Sequence, residues 1–238
     1  MPTLIKPRTT AAALAAARDA AERAATLETK ADAARAEAAR IDADAVDLLV
    51  DDPAQAERIG REVDAQNRLA NAYTTKAGAE RAEADKIIRE ALLIESERLD
   101  KHADTLDKKA KAHQAKVDEL LAQLEDLDGV SYRVAPLERY PGETMRPAGE
   151  PETFANTRAE DMENDVIRTR FQASVIRYVL EHGATPERAN ALDYRDPNTS
   201  PFLVTLNNEY ISQHRDYFIA PLLAAYLAGT ILDYTPEA

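Results

Sequence analysis

The sequence predicts an all-α protein: a long antiparallel Ala-rich coiled-coil hairpin, an extended Pro-rich linker and a small helical domain. Three observations support this prediction. Residues 9–50 contain no Gly or Pro and are dominated by residues that favour or tolerate helix. Small or apolar side chains recur there at alternating spacings of three and four residues. A break at Asp51-Asp52-Pro53 is followed by a second stretch with similar periodicity.

The two helices of the hairpin are predicted to meet along one heptad seam. Asp52 is a good N-cap and Pro53 a good first helical residue, so the chain turns back here. Folding it at this turn places Ala31 opposite Tyr73, and large residues tend to face small ones. Small side chains let the two helix backbones approach closely. The predicted seam contains Leu27, Ala31, Ile41, Ile59, Val63, Tyr73, Ala77 and Ile87.

Beyond Ile94 the apolar positions of the second helix move to a new frame. A heptad series, with leucine at one core position and mostly small residues at the other, runs from Ser96 to Asp128. The new stripe turns away from the hairpin seam, so its leucines need another partner. The sequence leaves two alternatives open, the C-terminal helices or the same segment of a second subunit. The candidate interaction stripe contains Leu99, Leu106, Val117, Leu120, Leu124 and Leu127.

Two polar features accompany this stripe. His113 occupies one of its core positions, where it either acts as a pH switch or sets the helix register. A lysine cluster makes this part of the helix locally positive, and it is either a docking site for an acidic surface or a solvated face. The cluster contains Lys101, Lys108, Lys109, Lys111 and Lys116.

The amino-acid composition changes near Gly129, and a glycine commonly follows the last residue of a helix. Residues 129–156 contain four prolines and cannot be helical, so they are predicted to form an extended arm. The predicted domains are an N-terminal arm, 1–8; the hairpin and coiled coil, 9–128, with helices at 9–50 and 53–128; the linker arm, 129–156; and a small helical docking domain, 157–238.

The C-terminal domain is predicted to contain three or four helices. The first spans 158–182 and ends at Gly183, and a short one covers 185–192. Another starts at Ser200 and is kinked by Pro221 before it continues to Leu232. The region is rich in Tyr and Arg, as protein interfaces are. Its most apolar run, from Ile219 to Leu232, is therefore a candidate contact between subunits.

Composition narrows the possible functions. A net charge of −13 repels phosphate backbones, so no nucleic-acid partner is expected. The chain contains no Cys, which excludes disulfides, thiolate nucleophiles and Cys zinc sites. None of the four His lies in a metal-binding pattern. We therefore expect no catalytic, cofactor-binding or metal-ligating residues and no enzyme activity.

The sequence also bears on location. Its N-terminus lacks the apolar core of a signal peptide. Its most apolar run, from Ile219 to Leu232, is interrupted by Pro221 and Gly229 and is too short to span a bilayer. We expect a protein of the cytoplasm or of a virion.

In general organisation the chain resembles accessory virion and scaffolding proteins of bacteriophages, which are acidic, cysteine-free proteins with an Ala/Glu/Arg-rich helical rod and a small docking domain. The resemblance rests on no motif and carries over no functional residue. It implies a structural or assembly role with protein partners, including further copies of the chain. The alternative is a cytoplasmic coiled-coil adaptor that dimerises and binds a client protein. An α-helical enzyme has the least support.

Overall fold

The computed structural model describes residues 9–131, 158–185 and 219–236. Within these ranges the structure is helical and contains no strand, so the prediction of an all-α fold is confirmed. Its four α-helices are α1 (Thr10–Asp51), α2 (Ala56–Asp128), α3 (Arg158–His182) and α4 (Pro221–Leu227). The predicted N-terminal arm, the linker from 132 onward, the short helix at 185–192 and the helix from Ser200 lie outside the described residues, apart from Thr185.

The helix ends follow from local chemistry. The carboxylate of Asp52 accepts a hydrogen bond from the backbone N of Ala54 at 3.1 Å, and a 3-10 turn at Pro53–Gln55 leads into α2. This is the N-cap and proline start that the sequence predicts. Helices α2 and α3 end at Gly129 and Gly183, whose φ angles of 69° and 73° favour glycine.

The described chain divides into two compact units, and α2 contributes to both. The first unit contains residues 9–94 and 222–236, and the second contains 95–131, 158–185 and 219–221. The predicted docking domain, 157–238, stays a prediction as a whole, because much of it lies outside the described residues. Its last described segment, 222–236, groups with the hairpin.

In the first unit the long helices α1 and α2 pack against each other. Alanines are buried along the length of both helices, and Ala31 and Ala77 are only 1% and 2% exposed. Ile59 is buried as well, whereas the other large apolar residues of the predicted seam are half-buried. The half-buried ones are Leu27, Ile41, Val63, Tyr73 and Ile87. The facing of individual seam residues across the hairpin stays a prediction.

Polar bonds between the two helices flank the seam. Glu80, which lies three residues after the seam residue Ala77, accepts a bond from Arg23 at 2.9 Å and keeps 23% of its side chain exposed. Arg81 pairs with Glu28, also across the hairpin. Each of these pairs is partly solvated, so it contributes at most about 1 kcal/mol and mainly keeps a seam carboxylate satisfied.

The base of the hairpin has a third packing element. Leu14 lies one residue off the seam and is fully buried, as are Leu222 and Leu223 near the other end of the chain. The guanidinium of Arg18 donates to the backbone carbonyls of Leu232 at 2.5 Å and Tyr234 at 2.6 Å. The C-terminal segment is therefore tied to the start of α1.

This packing corrects two expectations about the C-terminal run. Leu222, Leu223 and Ile231 are buried within the single chain and are not free for a contact between subunits. Pro221 begins a separate short helix and does not kink a longer one. That helix ends well before Leu232, because Gly229 adopts a φ of 72° and the backbone N of Thr230 bonds back to the carbonyl of Ala225.

Overpacking the seam should destabilise the hairpin. Ala31→Leu or Ala77→Leu inserts methylene groups where the side chain is almost fully buried, and we expect each to lower the free energy of unfolding by about 1–3 kcal/mol. The exposed Ala36 offers a matched control, for which Ala36→Leu should change stability little. Urea unfolding of the three variants checks this, and equal effects at all three positions would show that the seam is assigned wrongly.

Removing the guanidinium of Arg18 should loosen the C-terminal segment. Arg18→Met keeps most of the apolar stem but loses two charge-assisted hydrogen bonds, so we expect a loss of about 1.5–3 kcal/mol. Hydrogen exchange should become faster at the amides of Thr230, Asp233 and Tyr234, which bond within this segment. Arg35→Met, at an exposed arginine bound to Thr74, is the control and should leave these amides protected.

Candidate interaction surface

In the second unit α3 lies along the C-terminal half of α2, and ion pairs fix the register. The guanidinium of Arg177 bonds to the carboxylate of Asp100 at 2.5 Å, and that of Arg170 lies 3.4 Å from the carboxylate of Asp104. A higher residue number on α3 pairs with a lower one on α2. The two helices are therefore antiparallel.

Small residues form much of the buried surface here. Ser96 and Ala103 of α2 are fully buried, as is Ala173 of α3. Small side chains allow the two helix axes to lie close together. Leu99, the first leucine of the candidate stripe, is also buried, at 6% exposed. The buried apolar residues of α3 are Val166, Phe171, Ala173, Val175, Ile176 and Val179.

Two buried hydroxyl groups of α3 are satisfied within the helix itself. Thr169 donates to the carbonyl of Asp165 at 2.7 Å, and Ser174 donates to the carbonyl of Arg170 at 3.0 Å. Such bonds to the preceding turn let a hydroxyl lie in a packed face without an unmatched polar group. The face of α3 that contains Thr169 and Ser174 can therefore pack closely even though it is only partly apolar.

The candidate stripe changes from buried to exposed along α2. Leu106 and Val117 are half-buried, and His113 between them is half-buried as well. Leu120, Leu124 and Leu127 are 59%, 42% and 80% exposed. The first part of the stripe is thus covered within the chain, which is the first of the two alternatives left open by the sequence. The last part is not covered.

The register of α3 explains where the cover ends. Continuing the antiparallel alignment from Arg170 and Arg177 brings Arg158, the first residue of α3, level with about Val117. From there α2 runs on to Asp128, a distance of about 16 Å at 1.5 Å per residue. Exposed leucines at heptad spacing on this projecting segment are the feature of the described structure that most resembles a binding surface.

Charge is distributed unevenly along the same part of α2. Four lysines lie between 108 and 116 with no acidic residue among them, and all four are exposed. From 118 to 128 the charged residues are all acidic. The exposed leucines therefore lie in an acidic environment, next to a basic one. The acidic residues are Asp118, Glu119, Glu125, Asp126 and Asp128.

One carboxylate beside α3 titrates abnormally. Lys111 donates a hydrogen bond to Asp107 at 2.8 Å and lowers the pKa of that carboxyl below its usual value. Partial burial opposes the shift, and the charges of Lys111 and Arg170 add to it. Asp107 thus links the lysine cluster to α3 electrostatically.

Two kinds of site were sought within the described ranges, a metal site and a membrane span. These ranges contain no group of three or more His, Asp or Glu side chains placed to hold a metal ion. None of their helices combines the length and apolar character that a membrane span requires.

Sequence reasoning missed the tie between Arg18 and the C-terminal segment. A signal was present in Leu14, a large apolar residue one position off an alanine seam, which indicates a second contact face. The acceptors of Arg18 are backbone carbonyls. Those carry no side-chain signature, so the partner segment was not predictable from its residue types.

Comparison with family models, curated proteins and solved structures found no match to this chain. No relative therefore indicates a function for this chain.

Acid should remove the contribution of Asp107 to stability. Because its pKa is lowered in the folded state, its carboxylate stabilises the fold above the pKa of an unfolded aspartate, about 3.9, and this contribution is lost as the pH falls through the folded value. Asp107→Asn should be less stable than the wild type at about pH 6, and the difference should vanish toward about pH 2. Urea unfolding at low salt measures the stability of the variant and the wild type at both pH values. A stability difference that does not change with pH would contradict this role of Asp107.

Proposed function

We propose that this chain is a non-enzymatic structural or assembly protein, of the kind found in bacteriophage virions or in capsid assembly. In this proposal the helical hairpin is a spacer, and the C-terminal half of the molecule docks or oligomerises. The observation that carries the proposal is the exposed leucine stripe at the end of α2, which continues a surface already used for helix packing.

The hairpin has the properties that a spacer needs. Helices α1 and α2 contain 42 and 73 residues, and their seam buries alanines along most of the length of α1. Closely packed helices of this kind resist bending, because bending separates side chains that are already in contact. Partly solvated ion pairs such as Arg23–Glu80 fix the lateral arrangement.

The resemblance to phage scaffolding and accessory virion proteins supports the more specific form of the proposal. The chain shares with them an acidic, cysteine-free composition and an Ala/Glu/Arg-rich helical half. An assembly protein presents contact surfaces and uses them many times. Proteins, including further copies of this chain, are thus the proposed partners, in the cytoplasm of an infected cell or in the virion.

A second candidate is a cytoplasmic adaptor that dimerises and binds a client protein. The acidic residues around Leu120 and Leu124 favour it, because an apolar stripe with acidic flanks is complementary to a basic amphipathic helix. The two candidates differ in what they do when the chain is alone. An assembly protein adds copies as its concentration rises, whereas an adaptor stays at a defined dimer until its client is present.

Light scattering of the full chain over a range of concentrations tests the proposal. We expect a mass that rises with concentration beyond the 26.2 kDa monomer. A mass fixed at the dimer would favour the adaptor, and a monomer at every concentration would contradict self-assembly. The full chain is needed, because deletion of residues after Ile94 would remove the segment whose backbone carbonyls bind Arg18.

A further inference from the structure

The end of α2 that extends past the start of α3 has an apolar stripe on its surface. We call it the tip stripe, and it contains Val117, Leu120, Leu121, Leu124 and Leu127. Val117 and Leu121 are half-buried and the other three are exposed. The stripe is about three helical turns long, so it matches the apolar face of one short helix.

The surroundings of the tip stripe are strongly acidic. The segment 118–128 contains five acidic residues and no basic one. The start of α3, which lies level with about Val117, adds Glu160, Asp161 and Glu163 against a single basic residue, Arg158. The resulting negative potential attracts cationic groups, and it repels the phosphates of nucleic acids and of anionic lipids.

We propose that the tip stripe binds a basic amphipathic helix of another protein. The partner segment has about three turns, with apolar side chains on one face and Lys or Arg beside them. Its apolar face covers Leu120, Leu124 and Leu127, and its long cationic side chains extend over this contact toward the surrounding carboxylates. The inference rests on the docking role proposed for the C-terminal half of the molecule and names the chemistry of the partner.

The partner is a helix because the tip stripe is part of one. Backbone groups inside α2 are bonded within the helix, so this surface offers no edge to which an extended strand could bind. A second helix satisfies its own backbone groups and contributes only side chains to the contact. Since the tip stripe continues the face of α2 that α3 covers, the partner helix lies on the same track, end to end with α3.

The start of α3 also selects the direction of the partner helix. The N-terminal end of α3 carries the partial positive charge of the helix dipole. A partner that runs antiparallel to α2 brings its C-terminal end to this point, where the two dipoles attract, whereas a parallel partner would bring two N-terminal ends together. Lys or Arg in the last turn of the antiparallel partner then lies close to the first turn of α3, which contains Glu160 and Asp161.

A second copy of this chain is a poor partner because its charges do not match. Its own tip would place a further five acidic residues beside the five already present. Its lysine-rich segment, 108–116, has the required charge, but the apolar residues in and beside that segment are already packed. Ala110 is 7% exposed, and Leu106 is half-buried. The charge complementarity therefore favours a different protein.

The contact is small, and electrostatic attraction compensates for part of its size. One short helix on three exposed leucines buries less than the roughly 1,200–2,000 Å² of a stable complex, so the binding is weak and reversible. Opposite charges raise the association rate, and salt screens this attraction. Binding that weakens with added salt is therefore a specific consequence of the acidic surroundings.

Fluorescence anisotropy with a labelled synthetic peptide tests the apolar part of the surface on the full chain. The probe is a helical peptide of about 15 residues with leucines on one face and lysines on the other. Leu124→Gln should weaken its binding about tenfold. The matched control is Leu69→Gln, since Leu69 is 43% exposed against 42% for Leu124 and lies on the hairpin part of α2. It should leave the binding unchanged.

Two results of this experiment would overturn the proposal. Equal weakening by Leu124→Gln and Leu69→Gln would show that the peptide does not bind at the tip stripe. No binding of the lysine peptide by the wild type would leave the tip stripe to a second copy or to another segment of this chain.

A pair of double variants tests the electrostatic part. Glu125→Gln with Asp126→Asn removes two exposed carboxylates beside the tip stripe, and it should weaken binding about threefold at low salt and lessen its dependence on salt. Asp19→Asn with Glu22→Gln removes two exposed carboxylates from α1 and should change neither. Equal effects of the two double variants would show unspecific attraction to an acidic protein and overturn the site. Equal binding of a peptide with glutamate in place of lysine would overturn the basic partner.

These outcomes are distinguishable from a failure of the proposed assembly function. A chain whose mass rises with concentration but that does not bind the lysine peptide overturns this inference and leaves self-assembly intact. A chain that binds the peptide at the tip stripe but stays monomeric supports the inference and contradicts self-assembly.

Discussion

The close approach of α1 and α2 along an alanine seam is the constraint on which the rest of this structure depends. Alanine favours helix strongly but buries little surface, so each layer of the seam contributes modestly to stability. The hairpin compensates with length, and small residues recur over most of α1. Several large residues in the seam, such as Tyr73, stay half-buried beside small neighbours. The stability of the hairpin therefore depends more on an uninterrupted series of small residues than on any single contact.

The frame shift in α2 follows from the same constraint. A two-helix seam covers only one face of each helix, so a helix that continues past its partner needs a new face and a new partner. In α2 the new face is lined by Ser96, Leu99 and Ala103, and α3 packs along it with the register set by Arg170 and Arg177. One continuous helix thus serves two units. Where α3 begins, the leucines of this face become exposed.

Much of this architecture is encoded locally and was predictable for that reason. A cap and a proline at Asp52-Pro53, and helix stops at Gly129 and Gly183, depend on a few neighbouring residues each. The heptad frames depend on apolar spacing within one helix. These signals indicate that a helix exists, where it ends and which face is apolar.

The unpredicted features all depend on residues far apart in the chain. Leu14 and the backbone carbonyls that bind Arg18 are brought together by folding alone. The point at which the leucine stripe becomes exposed depends on which of many charged residues pair across α2 and α3. Asp100 and Asp104 look no different in the sequence from the other acidic residues of α2, so the sequence predicted the stripe but not the boundary between its covered and exposed parts.

The tie between Arg18 and the C-terminal segment has a consequence for biosynthesis. The bonded residues are separated by 214 and 216 positions, so the chain must be made as far as Tyr234 before both bonds at the base of the hairpin can form. Helices α1 and α2 leave the ribosome early and can pair at once, because their contacts are close in sequence. The final fold of the first unit is therefore a late step, and a nascent chain that has not reached Tyr234 lacks the two bonds that tie the start of α1 to this segment.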